Sequence, residues 1–177
     1  MTLAAWTDTE NATGNFAAST FNTESTGATI NWASNTTSPG ASLTFAATSM
    51  SPTVSHFATL NVRTTAATTV GGTVALSSAT ATGTLSAVLE YRAVRTPLSS
   101  TTCNAAAFTG SPVWIAGGAS TWIAASTVPG SPVASSIAAA GAEIRYCFDV
   151  RVQTGAASSY QGTTGTVTWL FSATSTS

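Results

Sequence analysis

An all-β fold, an antiparallel β-sandwich of jelly-roll type, is what this sequence predicts. Three observations carry that expectation. Apolar residues recur with period two and nowhere sustain a helical period, Gly- and Pro-containing turn signals punctuate the chain at short intervals, and several alternating runs are long enough to cross a sandwich. The clearest run is 144–153, where Ile144, Tyr146, Phe148, Val150 and Val152 face one way and Arg145, Asp149, Arg151 and Gln153 the other. A second, 88–95, turns Leu89, Tyr91 and Ala93 inward and Glu90 and Arg92 outward; a third, 166–173, turns Val167, Trp169, Phe171 and Ala173 inward. Weaker strands are expected at 16–21, 28–32, 41–46, 58–63 and 73–76. Turns are expected at Ser38-Pro39-Gly40, Gly71-Gly72, Thr82-Gly83, Gly117-Gly118, Pro129-Gly130 and Gly162. The alanine-rich run 135–142 is the one place where a helical turn is expected. No internal repeat points to a solenoid.

Residues 96–128 form a long irregular insertion containing Cys103, Trp114 and Trp122. Two tryptophans in such a segment read either as a surface contact site or as parts of a hairpin, Val113-Trp114-Ile115 with Thr121-Trp122-Ile123, that covers the sandwich.

Length and charge limit the functional classes. At 177 residues the chain accommodates one domain with a full core. Charged residues make up 6%, far below the roughly 25% of ordinary soluble domains, and serine and threonine carry the surface instead. That surface suits an exported protein. A net charge of −1, with five arginines and no basic run, offers no footprint for nucleic acid and none for an anionic membrane. No apolar stretch approaches the ~20 residues of a spanning helix. The start Met1-Thr2-Leu3-Ala4-Ala5-Trp6 lacks a basic n-region, and Leu3-Ala4-Ala5 reads as the remnant of a leader.

Cys103 and Cys147 are the whole thiol inventory, and an exported chain with an even count pairs them. Cys147 falls on the outward parity of 144–153, so a disulfide is expected to pin the Cys103 segment onto the outside of that sheet. The alternative is two free buried cysteines.

Catalytic constellations are missing. His56 is the single histidine, too few for an HExxH metal site, and there is no Gly-x-Ser-x-Gly elbow. Glu90 and Asp149 are expected to pair with Arg92, Arg145 or Arg151 rather than act as a glycosidase pair. No catalytic residue, metal site or cofactor is expected. Sequons at Asn11 and Asn35 carry little weight in so threonine-rich a chain. An ice-binding threonine face would need a sustained rank of threonines, and the fragments here lack one.

The N-terminal stretch Thr2-Leu3-Ala4-Ala5-Trp6-Thr7-Asp8-Thr9-Glu10, followed by Phe16-Ala17-Ala18-Ser19-Thr20-Phe21, resembles the signal-peptidase junction and first strand of the TasA and camelysin family. Leu89-Glu90-Tyr91-Arg92-Ala93-Val94, Thr102-Cys103-Asn104, Tyr146-Cys147-Phe148-Asp149-Val150, and Gln161-Gly162-Thr163 with Val167-Thr168-Trp169 are similar to its actinobacterial branch of alternate signal-mediated exported proteins. The resemblance implies a secreted jelly-roll sandwich whose mature chain begins at Ala5 or Trp6. For the fibre-forming members it implies head-to-tail polymerisation by donor-strand exchange. Ala4 with Trp6, or Ala12 with Phe16, would supply the apolar side of the donor strand; the other reading pairs 6–16 within its own subunit. The protease label attached to camelysins does not carry over, because one histidine cannot furnish a zinc triad.

The expectation is therefore a secreted structural subunit of an extracellular fibre or biofilm matrix. Residues 1–16 would form a leader remnant and donor segment, and 17–177 a sandwich with an insertion at about 96–128. Its partner would be itself, with other cell-surface or matrix components as further candidates. A monomeric adhesin or carbohydrate-binding module using Trp114 and Trp122 is the alternative.

Overall fold

A computed structural model describes residues 17–27, 31–35, 43, 49–100 and 102–176. The strands are β1 (Thr23–Thr26), β2 (His56–Thr64), β3 (Gly72–Thr82), β4 (Leu89–Thr96), β5 (Val113–Ala116), β6 (Ile123–Ala124), β7 (Ser135–Ile137), β8 (Glu143–Val152) and β9 (Thr166–Ser175). They form two antiparallel sheets, a larger one ordered β1-β2-β8-β4-β5 with β6 also on β4, and a smaller one ordered β7-β3-β9. The protein is an all-β sandwich. Among the described residues the helical content is three short 3₁₀ turns, Thr84–Val88, Ala105–Phe108 and Ser158–Tyr160.

The three strongest sequence runs became β8, β4 and β9, and the inward residues read from alternation are the ones that meet between the sheets. Tyr91, Ala93, Tyr146 and Phe148 are essentially sealed from solvent, with Val74 and Leu76 of β3 opposite. The Trp169 ring centroid lies 5.3 Å from Tyr91 and 4.9 Å from Phe148, and Phe171 stacks on Tyr146 at 4.8 Å. The Tyr91 hydroxyl donates to the Thr127 carbonyl at 2.9 Å, so its polar end is satisfied inside the core.

Three expectations are corrected. The run 135–142 is not a helical turn: Ser135 and Ile137 alternate inward as β7, pairing with Gly72–Val74. Ala140 and Gly141 then take positive φ of 57° and 84°, which a right-handed helix excludes. In the weak strand expected at 16–21, the described residues 17–21 make no ladder. The threonines of the β2–β3 turn hold the chain there instead, with Thr69 Oγ1 accepting from Thr20 N–H and Thr68 Oγ1 donating to the Asn22 carbonyl. The strand forms just beyond, as β1. Finally, β5 and β6 do not form a hairpin with one another. Both pair with β4, at Ala93–Arg95 and at Glu90–Tyr91, as two pieces of one interrupted edge. Gly117, at φ 67°, makes the interruption, and a Cβ there would sit 2.8 Å from the Arg92 Cβ.

The expected strands at 28–32 and 41–46 lie largely outside the described residues. Of these, Asn31 and Trp32 carry no strand, and Ala33 just beyond makes a single bridge to Ser25. Leu43 packs against the core.

Cys103 and Cys147 are disulfide-bonded, with Cα atoms 5.3 Å apart across a sequence separation of 44. The link places the 96–128 segment on the outer face of the large sheet, where parity put it. On the chain-entropy estimate a closed loop of this length stabilises the fold by roughly 4 kcal/mol. Reduction, or the double variant Cys103→Ser/Cys147→Ser, is expected to lower the unfolding free energy by about that amount in urea titration. An unchanged midpoint would show that the disulfide constrains nothing in the unfolded chain.

Candidate functional site

The outer face of the large sheet is organised by charge pairs in direct cross-strand register. Glu24 opposes Arg63, Glu90 opposes Arg151, and Arg92 opposes Asp149, with N···O separations of 2.8, 2.7 and 3.0 Å. Such pairs fix register, because a one-residue slip would reverse every side chain. Glu90 and Asp149 are thus salt-bridged to Arg151 and Arg92. Arg145 reaches Glu143 more loosely, at 3.9 Å.

The insertion is built down onto this face. Asn104 caps the turn Ala105–Phe108, its Oδ1 accepting from Ala106 N–H at 3.0 Å, and the turn drops Phe108 against Phe57 and Trp114. Phe108, Val94 and Cys147 make a second small core on the side of the sheet that alternation assigns to solvent. Beside it the Arg92 guanidinium lies 4.8 Å from the Phe108 ring and 4.5 Å from the Trp122 ring, and Arg151 lies 3.8 Å from Trp122. Arg92 also donates to the Ala119 carbonyl at 2.8 Å. Both tryptophans are half-buried and held by cations. They pack against the outer face of the large sheet, without the expected hairpin.

Asp149 lies at the bottom of this cover with 0% exposure. Burial raises its pKa above the usual carboxylate range, against the opposing effects of a Ser55 hydrogen bond and the Arg92 and Arg151 charges. Period-two reading could not find this, since it places Asp149 outward; the signal available was Cys147, two residues away on the same parity.

The small sheet is different in kind. Among the described residues, β9 pairs on one side with β3 and has no strand on the other, and β3 has none on its β7 side from Ala75 to Thr82. Val167, Trp169, Phe171 and Ala173 point into the sandwich yet remain half-exposed, whereas their partners on β4 and β8 are fully buried. The outer face of this sheet carries the cross-strand pairs Thr73–Thr174, Thr80–Thr168 and Thr82–Thr166. A bulge between Leu76 and Ser78 and the exposed Leu170 break that rank, so a regular ice-binding array is not formed.

His56 opens β2 and is half-buried. Asn35 is tied into the fold, its Nδ2 donating to the Ser25 carbonyl and hydroxyl at 3.0 Å. No group of three or more His, Cys, Asp or Glu residues able to hold a metal occurs among the described residues, and no described helix is long and apolar enough to cross a membrane. The donor-segment residues Ala4, Trp6, Ala12 and Phe16 lie outside the described residues. No family model matches the chain, and no curated protein or solved structure matches it either.

Two outcomes test the covered face. Trp122→Ala removes two cation–π contacts and a half-buried ring, and is expected to cost roughly 2 kcal/mol in chemical denaturation. For Asp149, a raised folded-state pKa means that the folded protein holds a proton over a pH window in which the unfolded chain has lost it. Its contribution is therefore full below the ordinary aspartate range and declines as pH rises through the raised value. Asp149→Asn is expected to flatten that acid-side decline in thermal unfolding. It should also destabilise the fold, since Arg92 exchanges a carboxylate for a neutral amide; a profile parallel to the parent's would show that Asp149 does not titrate as placed.

Proposed function

We propose that the protein is a secreted structural subunit that polymerises head to tail into an extracellular fibre, an extended N-terminal segment of one copy completing the small sheet of the next. The observation that supports this most directly is the edge of β9, which has no strand partner among the described residues and whose inward aromatics Trp169 and Phe171 are only partly buried. A strand added there would satisfy the free backbone groups and bury those rings, and because donor and acceptor surfaces differ, repetition yields a filament rather than a closed dimer. The disulfide and the hydroxyl-rich, lysine-free surface fit an oxidising extracellular setting. The resemblance to the TasA and camelysin family, jelly-roll connectivity included, belongs to the same proposal. So does a non-enzymatic role.

Negative-stain electron microscopy of the purified protein tests it. Filaments are expected from the full chain, and monomers when residues 1–16 are deleted. A full-length protein that stays monomeric at high concentration, with the same sedimentation as the truncated form, would refute the proposal. Glycan binding lost on Trp114→Ala would favour the carbohydrate-binding alternative instead.

A further inference from the structure

The N-terminal segment leaves the fold from a fixed point. Thr20 is tied to the β2–β3 turn by three hydrogen bonds: its N–H donates to Thr69 Oγ1 at 2.9 Å, its carbonyl accepts from the Thr69 N–H at 2.9 Å, and its hydroxyl donates to the Ala67 carbonyl at 2.6 Å. Two residues on, the Asn22 carbonyl accepts from Thr68 Oγ1 at 2.9 Å and from the Thr65 N–H at 3.0 Å. Between them Phe21 lies against Gly72, where an added Cβ would come within 2.6 Å of its ring. Residues 20–22 therefore form a clasp, closed just before β1 begins.

The clasp sits at one end of the small sheet. Gly72 pairs with Ser175, and the Thr176 N–H donates to the Gly71 carbonyl at 3.0 Å, so β9 finishes beside the turn that holds Thr20. This fixes a direction. Residues laid along the β9 edge of their own subunit and leading straight into the clasp would run toward Ser175, parallel to β9. Each ladder between the described strands is antiparallel, and parallel pairing is slightly less stable per residue. To lie antiparallel on its own β9, the segment would first have to cross to the Thr166 end, about 33 Å or roughly ten extended residues away. Such a crossing would consume most of 6–16. A second copy imposes no crossing.

We propose that the clasp at Thr20–Asn22 commits the N-terminal segment to a second copy of this chain, where it adds to the β9 edge as an antiparallel strand, residue 16 toward Thr166 and residue 6 toward Ser175. The occupant follows from where the chain leaves the fold and from the direction in which β9 ends there. That a second copy is recruited at all rests on the fibre proposal above. A held root also lowers the ordering cost of docking, because the segment starts from one position.

Cysteine cross-linking of assembled full chain reads the direction. The double variant Thr13→Cys/Thr168→Cys is expected to give an intermolecular ladder on non-reducing gels, and Thr13→Cys/Thr174→Cys none. Thr68→Val, which removes the buried hydroxyl of the clasp, is expected to raise the critical concentration for filament formation by on the order of fivefold. Thr69→Val, at an exposed site, tests the same clasp should Thr68→Val fail to fold by thermal unfolding. An intrachain link through Thr13→Cys/Thr174→Cys would place the segment on its own β9 and overturn the proposal. An intermolecular link through that pair would make the added strand parallel, and overturns it too while leaving the fibre proposal intact. So does assembly of the folded clasp variants at the parent's critical concentration, which would leave the clasp without a role in directing the segment. Filaments that form with neither pair linked would remove β9 as the acceptor, and absence of filaments from the unmodified chain would remove both proposals together.

Discussion

Burial of β8 on both faces is the constraint around which the molecule is arranged. One face of that strand meets the small sheet through Tyr146 and Phe148, and the other lies under the insertion, where Cys147 and Asp149 are as inaccessible as the core aromatics. A buried carboxylate is costly unless it is paired, so the position of Asp149 demands Arg92, and Arg92 in turn collects Phe108, Trp122 and the Ala119 carbonyl around itself. The disulfide then holds the insertion over this pair. Each element of the cover depends on the others, which locks the register of β4 against β8.

Among the described residues the small sheet has no such cover. Its centre, β3, is paired for three residues by β7 and along its length by β9, and β9 presents half-exposed aromatics beside an edge with no described partner. Exposed strand edges invite pairing with other chains, and proteins that remain monomeric blunt them with charge, proline or covering loops. Along β9 the outward residues Thr166, Thr168, Leu170, Ser172 and Thr174 carry neither charge nor proline. The contrast between the covered outer face of the large sheet and a β9 edge with no partner among the described residues is what gives the fibre proposal its physical basis.

Much of the fold was legible. Period-two alternation is a direct consequence of pleating, so Tyr91, Phe148 and Trp169 could be placed on the core face from spacing alone. The outward parity of Cys147 located the insertion correctly. Local patterns failed where tertiary partners overrode them. Ser135–Ile137, at the head of the alanine-rich run, form a strand because Gly72–Val74 offers a free ladder, and the Trp114 and Trp122 segments take β4 as partner instead of one another.

Alternation, turn residues, cysteine count and scarcity of charge determined by themselves that this chain is a disulfide-linked β-sandwich with a hydroxyl surface. Those are local or compositional properties, set by the pleat and by the chemistry of each side chain. Which polar residues would be buried, and which edge has no partner among the described residues, were decided by the tertiary structure. Each depends on residues distant in sequence, as Asp149 depends on Arg92 and the 96–128 segment, and no local period encodes such a meeting.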